Sequence, residues 1–486
     1  MFIQPARLAT LGETKGTIPV SLLHLGAVLQ EHGDTPFIYD ISTKICPPDC
    51  DVEAYIFEDI ENNILTEQPE FIGINCFTSI HFQSVLQLAE YLKRKFPNIP
   101  ILTGGAHPSL FPKEILNGTD CIDFVVVGEG EEQIINLVEF IKTGDWGILE
   151  GTQALSYRKD GKVIFNARET YIDDLNDLPN PAWNLITPSD YSTDLSSWHN
   201  PKGLDFTTSM PIITSRSCPF KCNFCACFTT MGRKLRLREP SRVVDEIQML
   251  HEVYGQNYFG FIDDIVNLHQ KHFIAILDDI VKRGLNIHFD TTCGVHIGTL
   301  TEEVVDAMAA AGCAFVRLPI EHGNDNMRNN IIGKHLDREK IYDVVKMVKK
   351  YDMTTSSMFI YGFPEDTVET VQDTYDMILD LELDRNYVFN IIPFPGTRVF
   401  KEAEQHNLFI GDFSIDELWK GKINLDPVAD EPRFFIKPHN MEVDELRYFR
   451  KLFDTVQVFS ERGKYADSMT KLQLPLSHKL KLVTVE

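Results

Sequence analysis

Apolar residues along this chain recur at two spacings. Over 17–32, Ile18, Leu22, Leu23, Leu25 and Leu29 keep a helical interval, and 81–96 shows the same period. Between such stretches lie short, evenly apolar runs at 37–41, 71–76, 101–103 and 124–127, the pattern of strands buried on both faces. Helices alternating with such strands predict a doubly wound parallel sheet over residues 1–150. The last three of these strands end in Phe77-Thr78-Ser79, Gly104-Gly105-Ala106-His107-Pro108 and Gly128-Glu129-Gly130-Glu131. Ligands of open α/β sheets bind at the carboxyl ends of strands, and glycines there admit a close approach of ligand to backbone. Tight turns are the other reading of each loop; three on successive strands favour a binding edge.

The pattern changes over 151–210. A hairpin is expected from Ala154 to Phe165 with its turn at Asp160-Gly161, followed by a Pro- and Asp-rich linker from Asp173 to Asp190. From 211 the alternation returns. Strands are expected at 212–214, 258–262, 288–291, 314–320, 355–361 and 387–392. The helices lie at 241–253, with Ser241 as cap, and at 270–283, 302–311, 337–351 and 367–382. Six βα-type units over 211–400 predict a partial or complete barrel whose reactive face is the carboxyl end of its strands. Residues 401–486 are less regular and mostly helical.

Composition narrows the classes. A hydrophobic fraction of 43% is that of a globular chain. With no stretch approaching the ~20 apolar residues of a membrane span, and no signal peptide at the start, the expectation is a soluble cytoplasmic protein without a transmembrane segment. The formal charge of −25 argues against a nucleic-acid partner. One basic cluster, Arg233, Lys234, Arg236 and Arg238, reads either as a solvated loop or as a face for an anionic substrate or cofactor.

Four of the ten cysteines crowd into Ser-Cys-Pro-Phe-Lys-Cys-Asn-Phe-Cys-Ala-Cys-Phe, residues 217–228. Cys218, Cys222 and Cys225 stand C-x3-C-x2-C, and three thiolates on one short loop suit a cubane iron–sulfur cluster with one iron open. Cys227 leaves room for a four-thiolate site, zinc or a closed cluster. Chelation by both Cys225 and Cys227, two residues apart, would be strained, and structural zinc sites draw on two separated pairs. Cys76 and Cys313 lie among apolar residues as buried free thiols; Cys46 and Cys50 lack a partner pair.

Cys218-Pro-Phe-Lys-Cys222-Asn-Phe224-Cys225 after a first barrel strand resembles the radical S-adenosylmethionine (SAM) superfamily. Thr214-Ser215-Arg216-Ser217, Phe261-Ile262-Asp263-Asp264, Ile320-Glu321-His322-Gly323 and Gly362-Phe363-Pro364-Glu365-Asp366-Thr367 fit the same pattern. Thr103 to Pro108 and Val127 to Glu131 are similar to the cobalamin-binding domain often fused to these enzymes. The resemblance implies an α/β architecture, a cobalamin-binding-like sheet followed by a partial (β/α)6 TIM-type barrel and a helical C-terminal region. It implies a [4Fe–4S] cluster held by Cys218, Cys222 and Cys225, and SAM contacts from Phe224, Glu321, Gly362 and Phe363. Cobalamin contacts are implied for Thr78, Ser79, Gly104, Gly105, His107, Gly128, Glu129 and Gly130. Of Asp263 and Asp264, either could point into the barrel and either could cap a helix. The D-x-H-x-x-G motif that gives a lower cobalt ligand elsewhere is absent; Asp40 and His107 do not rebuild it. This leaves open cobalamin bound without a protein imidazole, or a domain that binds none.

By the same resemblance the chain is a cobalamin-dependent radical SAM enzyme. A 5′-deoxyadenosyl radical would act on an unactivated carbon of a small metabolite or natural-product intermediate, with methyl transfer as the leading outcome and a flavodoxin- or ferredoxin-type electron donor. Cyclisation or rearrangement without net methyl transfer, and a non-catalytic iron–sulfur protein, are the alternatives. Phe434-Phe435-Ile436 and a helix near 443–459 could close over substrate or serve as a structural lid.

Overall fold

The computed structural model describes residues 1–6, 17–191, 202–411, 413–421 and 433–457. Five parallel strands open the chain: β1 (Phe2–Gln4), β2 (Ile38–Asp40), β3 (Ile72–Asn75), β4 (Ile101–Gly104) and β5 (Phe124–Val126). The expected hairpin forms as β6 (Leu155–Lys159) and β7 (Lys162–Phe165), with Asp160 and Gly161 at φ 50° and 73°. It extends this first sheet, since β6 pairs antiparallel with β5, and the spatial order is β2-β1-β3-β4-β5-β6-β7. β1 had no counterpart in the pattern reading. Three residues carry no period; pairing with β2 on one side and β3 on the other makes them a strand.

The second half contributes β8 (Met210–Ile212), a small antiparallel ribbon of β9 (Ser215–Arg216) with β10 (Arg236–Leu237), then β11 (Tyr258–Phe261), β12 (His288–Asp290), β13 (Cys313–Glu321), β14 (Thr354–Tyr361) and β15 (Arg385–Asn390). Apart from the ribbon these six strands run parallel in chain order, with β8 and β15 at the two edges, as a partial barrel. Helix Pro240–Tyr254 begins one residue ahead of Ser241, which makes no cap. Proline at its first position has the required φ and no N–H to satisfy, so no side-chain cap is called for. Helix Val368–Leu381 opens instead with a reciprocal cap between Thr367 and Thr370.

The linker from Asp173 to Asp190 is anchored rather than loose. Trp183 is buried and its Nε1 donates to Glu246 of the barrel, while Tyr191 donates to Asp40 of the first sheet. The C-terminal part supplies helices Arg398–Gln405, Ile415–Trp419 and Val443–Asp454. Phe434 packs with Tyr361 and the barrel core. Phe435 and Ile436 join a second cluster that runs from the first sheet's helices to Phe363, Phe413 and Trp419. All three are buried, so they are core in this conformation, not a loose flap. No described helix is long and apolar enough to cross a membrane.

Candidate active site between the two sheets

β9 delivers the chain into the cysteine loop through Ser217, held at φ 84°. Its hydroxyl donates to the Met231 carbonyl, and Arg236 donates to both groups. Farther along, Asn223 N donates to Ile332 O at 2.9 Å and Val399 N to Asn223 O at 3.1 Å. Three segments therefore fix the loop's course. All four thiols are free and half-buried. Cys227 Sγ lies 3.3 Å from Cys225 Sγ and also hydrogen-bonds Cys218. These contacts draw the Cys225 thiol down to about 7 and Cys218 below the ordinary thiol value, whereas burial pushes Cys222 up to about 12. A tetrahedral zinc with Zn–S of about 2.3 Å would need sulfurs about 3.8 Å apart. Among the described residues no three cysteine sulfurs lie mutually within 4.8 Å.

The end of β13 faces the same loop. Glu321 Oε1 accepts from Lys334 Nζ at 2.8 Å, both side chains largely buried. Burial alone would lower the Lys334 ammonium, but Glu321 and the Cys222 sulfur more than offset it, and the net shift is upward. Lys334 follows a π-helical turn, Met327–Ile331, a distortion that recurs at functional sites. No motif spacing pointed to it.

Gly362 sits at φ 87° after β14. Its N–H and that of Phe363 donate to Asp366 Oδ2 at 2.8 and 2.9 Å. Asp366 Oδ1 accepts from Thr370 and from His322 Nε2 at 3.0 Å. Because His322 Nδ1 accepts from Asn324 N, the proton resides on Nε2. Asp366 and His322 are fully buried, so the two strand ends are locked together. Phe363 meets Phe224 edge-on, centroids 6.1 Å apart, which joins this segment to the cysteine loop. Asp366→Asn can keep an oxygen on the Gly362 and Phe363 amides only by turning its NH2 toward His322 Nε2–H and Thr370 Oγ1, which now donate to Oδ1. The expected result is a loss of about 1–3 kcal/mol in unfolding free energy together with a raised KM for SAM, checked by thermal unfolding and initial rates.

The two aspartates of β11's end divide their roles. Asp263 is buried and accepts from Thr214 N, Thr214 Oγ1 and Ser215 Oγ, tying the end of β11 to the junction of β8 and β9. Asp264 opens to solvent at the cysteine loop, close enough to act on the Cys218, Cys225 and Cys227 thiols; the surrounding protein and the neighbouring Asp263 raise its carboxyl above the ordinary value.

At the first sheet's edge the predicted residues part company. Thr78 Oγ1 is buried with no hydrogen-bond partner among the described residues, and Phe77 beside it is 72% exposed. A Cβ on Gly104 would meet only Val126, at ordinary contact distance. This end of β3 and β4 can accept a ligand. His107 turns inward instead. Its Nδ1 is 2.8 Å from Ser79 Oγ, its Nε2 3.0 Å from the Trp419 carbonyl, and burial lowers it to about 4. Gly105 is at φ 110°, where a Cβ would strike the Cys76 carbonyl; at Gly128 it would strike the Thr230 carbonyl, and at Gly130 it would crowd Leu25. Close packing of the chain on itself requires Gly105 and Gly128; at Gly130 the tip of Leu25 would have to give by a few tenths of an ångström.

Glu129 lies in an ionic clamp between the halves. Arg216 Nη1 reaches Glu129 Oε1 at 2.8 Å and its Nη2 reaches Glu131 Oε1 at 2.6 Å; Arg236 Nη1 lies 2.8 Å from both Glu129 oxygens. All four side chains are buried. Arg236 and Arg238 of the basic cluster are thereby committed within the protein. Arg238 pairs with Glu246, Arg233 donates to Phe220 O, and Lys234 pairs with Asp173 at the surface. Arg233 also lines the cavity beside Cys222 and Cys225.

A family model for the radical SAM superfamily matches residues 212–378, and one for the B12 binding domain matches 14–138. The chain is 29% identical over 436 residues to an uncharacterized methyltransferase, PH0819, of Pyrococcus horikoshii, covering 89% of this chain and 88% of that one. It is 25% identical to an anaerobic magnesium-protoporphyrin IX monomethyl ester cyclase of Rubrivivax gelatinosus, covering 90% and 77%. Its fold is similar to that of the radical SAM methyltransferase TsrM of Kitasatospora setae, solved with cobalamin and a [4Fe–4S] cluster. There the TM-score is 0.68 at 18% identity, covering 96% of this chain and 86% of that one. Residues 212–378 thus match the radical SAM superfamily and residues 14–138 the B12 binding domain, the two joined in one chain.

Proposed function

We propose that this protein is a cobalamin-dependent radical SAM methyltransferase acting on an unactivated carbon of a small metabolite or natural-product intermediate. One observation carries the reading. The segment that continues the four-cysteine loop packs on the loop after β5 of the first sheet, so closely that a Cβ on Gly128 would meet the Thr230 carbonyl. Two large cofactors held by the two halves would share one cavity. Cys218, Cys222 and Cys225 would hold the cluster, and the Lys334 ammonium would favour the thiolate of Cys222, against its burial. Glu321 with Lys334, the Gly362-Phe363 backbone and Phe224 would bind SAM. Phe77, Thr78 and Gly104 would meet the corrin. When bound, the cluster supplies the electron that cleaves SAM and the corrin carries a methyl group; the protein orients both and excludes water. Residues 1–150 would be the corrin domain and 211–400 the SAM barrel, in a cytoplasmic enzyme served by a flavodoxin- or ferredoxin-type donor.

The similarity to the cyclase favours a second reading, ring closure without net methyl transfer. The chain reconstituted anaerobically with iron, sulfide, hydroxocobalamin and methyl-labelled SAM should retain a corrin spectrum after desalting and release 5′-deoxyadenosine. Label in product supports methyl transfer; product without label supports cyclisation. Loss of the corrin on desalting, with no deoxyadenosine formed, removes both.

A further inference from the structure

Away from the cysteine loop, three metal-ligating side chains converge. Glu402 and His406 are four residues apart, at the end of helix Arg398–Gln405 and its cap, and so share a face. His439 comes from the segment that returns beside this helix after the Phe409–Ile436 bridge. His406 Nε2 lies 3.3 Å and His439 Nε2 3.8 Å from the same oxygen, Glu402 Oε1, and the two imidazoles stand edge to face at 5.2 Å. One ligand atom from each lies within 4.8 Å of the others. A tetrahedral cation with bonds of about 2.0–2.1 Å to nitrogen and oxygen separates its ligands by about 3.4 Å, so the set is close to assembled.

The backbone beneath is held firmly. His439 N donates to Pro364 O at 2.9 Å, Lys437 N to Leu408 O at 2.8 Å and Ile410 N to Phe435 O at 3.0 Å. An independent feature lies alongside. Glu365, next to Pro364, keeps Oε2 buried without a hydrogen-bond partner among the described residues, and is near enough to feel the charges of Glu402 and His439. An ordinary ion pair needs one imidazole; it does not account for a second aimed at the same oxygen, or for the orphaned carboxylate oxygen nearby.

We propose that Glu402, His406 and His439 bind one divalent cation of the zinc class, and that this cation fastens the returning C-terminal segment to helix Arg398–Gln405. Two imidazoles and one carboxylate select zinc, nickel or cobalt over magnesium and calcium. Water or Glu365 would complete the coordination.

The test uses the full chain with its cluster reconstituted, equilibrated with Zn2+ at neutral pH, desalted, and assayed for zinc and iron by mass spectrometry and for zinc ligands by X-ray absorption. One zinc per chain is expected beyond the cluster iron, with a nitrogen/oxygen shell and no sulfur. H406Q, H439Q and E402Q should each lower zinc affinity by more than about tenfold, since even an outer partner of a metal ligand costs that much. Their iron content should stay at the wild-type level, which shows that they fold. Zinc should raise the unfolding midpoint of the wild type and leave that of the H406Q/H439Q double variant unmoved. Failure of the wild type to retain zinc, a sulfur-containing zinc shell, or equal retention by the double variant overturns the proposal.

Discussion

Replacing any one of Cys218, Cys222 or Cys225 by Ala should abolish the iron–sulfur chromophore and reduce 5′-deoxyadenosine formation to background. The three thiols share a loop held in place by bonds to Ile332, Val399 and Met231, and the one neighbouring cysteine in contact with them is Cys227. Cys227→Ala is the informative companion. Its sulfur hydrogen-bonds both Cys218 and Cys225, so the substitution should slow cluster assembly while leaving iron content and SAM cleavage near wild type. The readouts are iron and sulfide per chain, visible absorption, and deoxyadenosine by chromatography. Cleavage lost equally in Cys227→Ala would show that a fourth thiolate closes the cluster, which no SAM could then enter.

Arg216→Met should be the most destabilising substitution outside the apolar core. It leaves Glu129 short of one of its two guanidinium partners and strips Glu131 of its own, in a buried interface. Breaking a buried ion pair on one side costs about 3–5 kcal/mol. Corrin retention should fall with it, because the clamp holds the first sheet against the barrel. Acid should act in the same direction. Burial raises the Glu131 carboxyl, but Arg216 outweighs that and holds it down, to about 2 against an ordinary 4.5. Its contribution is therefore fully present above about pH 4.5 and is lost as pH falls from there toward 2. Urea unfolding of the cluster-free chain at pH 7, 5 and 3 measures this. A wild-type midpoint that falls over the acid range, beside an Arg216→Met midpoint already low at pH 7, is the expected pair. Equal midpoints at pH 7 would show that the clamp carries little stability.

Much of the catalytic centre was legible because its chemistry is local. C-x3-C-x2-C lies in eight consecutive residues, so the chain itself guarantees that the thiols meet. Phe224 and Phe363 carried motif signals and do touch. Lys334 carried none. It reaches Glu321 through a π-helical turn and a loop, and no spacing in the sequence encodes that approach. His322 and Asp366 stood inside quoted motifs, but their pairing across two strand ends appears only when β13 and β14 align. At the first sheet the glycine-rich loops read as ligand-binding, yet several of their residues serve the protein's own packing. Glu129 answers Arg216 and Arg236, and His107 answers Ser79 and Trp419.

The sequence alone determined the αβ alternation, the two sheets, and the trio of thiols, because periodicity and short-range spacing are properties of neighbours along the chain. Which charges face a ligand and which face each other was decided by tertiary structure. Burial costs an unpaired charge far more than a paired one, so residues hundreds of positions apart, or from different sheets, settle each other's roles. The basic cluster and the acidic loop at 128–131 each resembled a binding surface until folding placed Arg216 and Arg236 against Glu129, and the two became a joint.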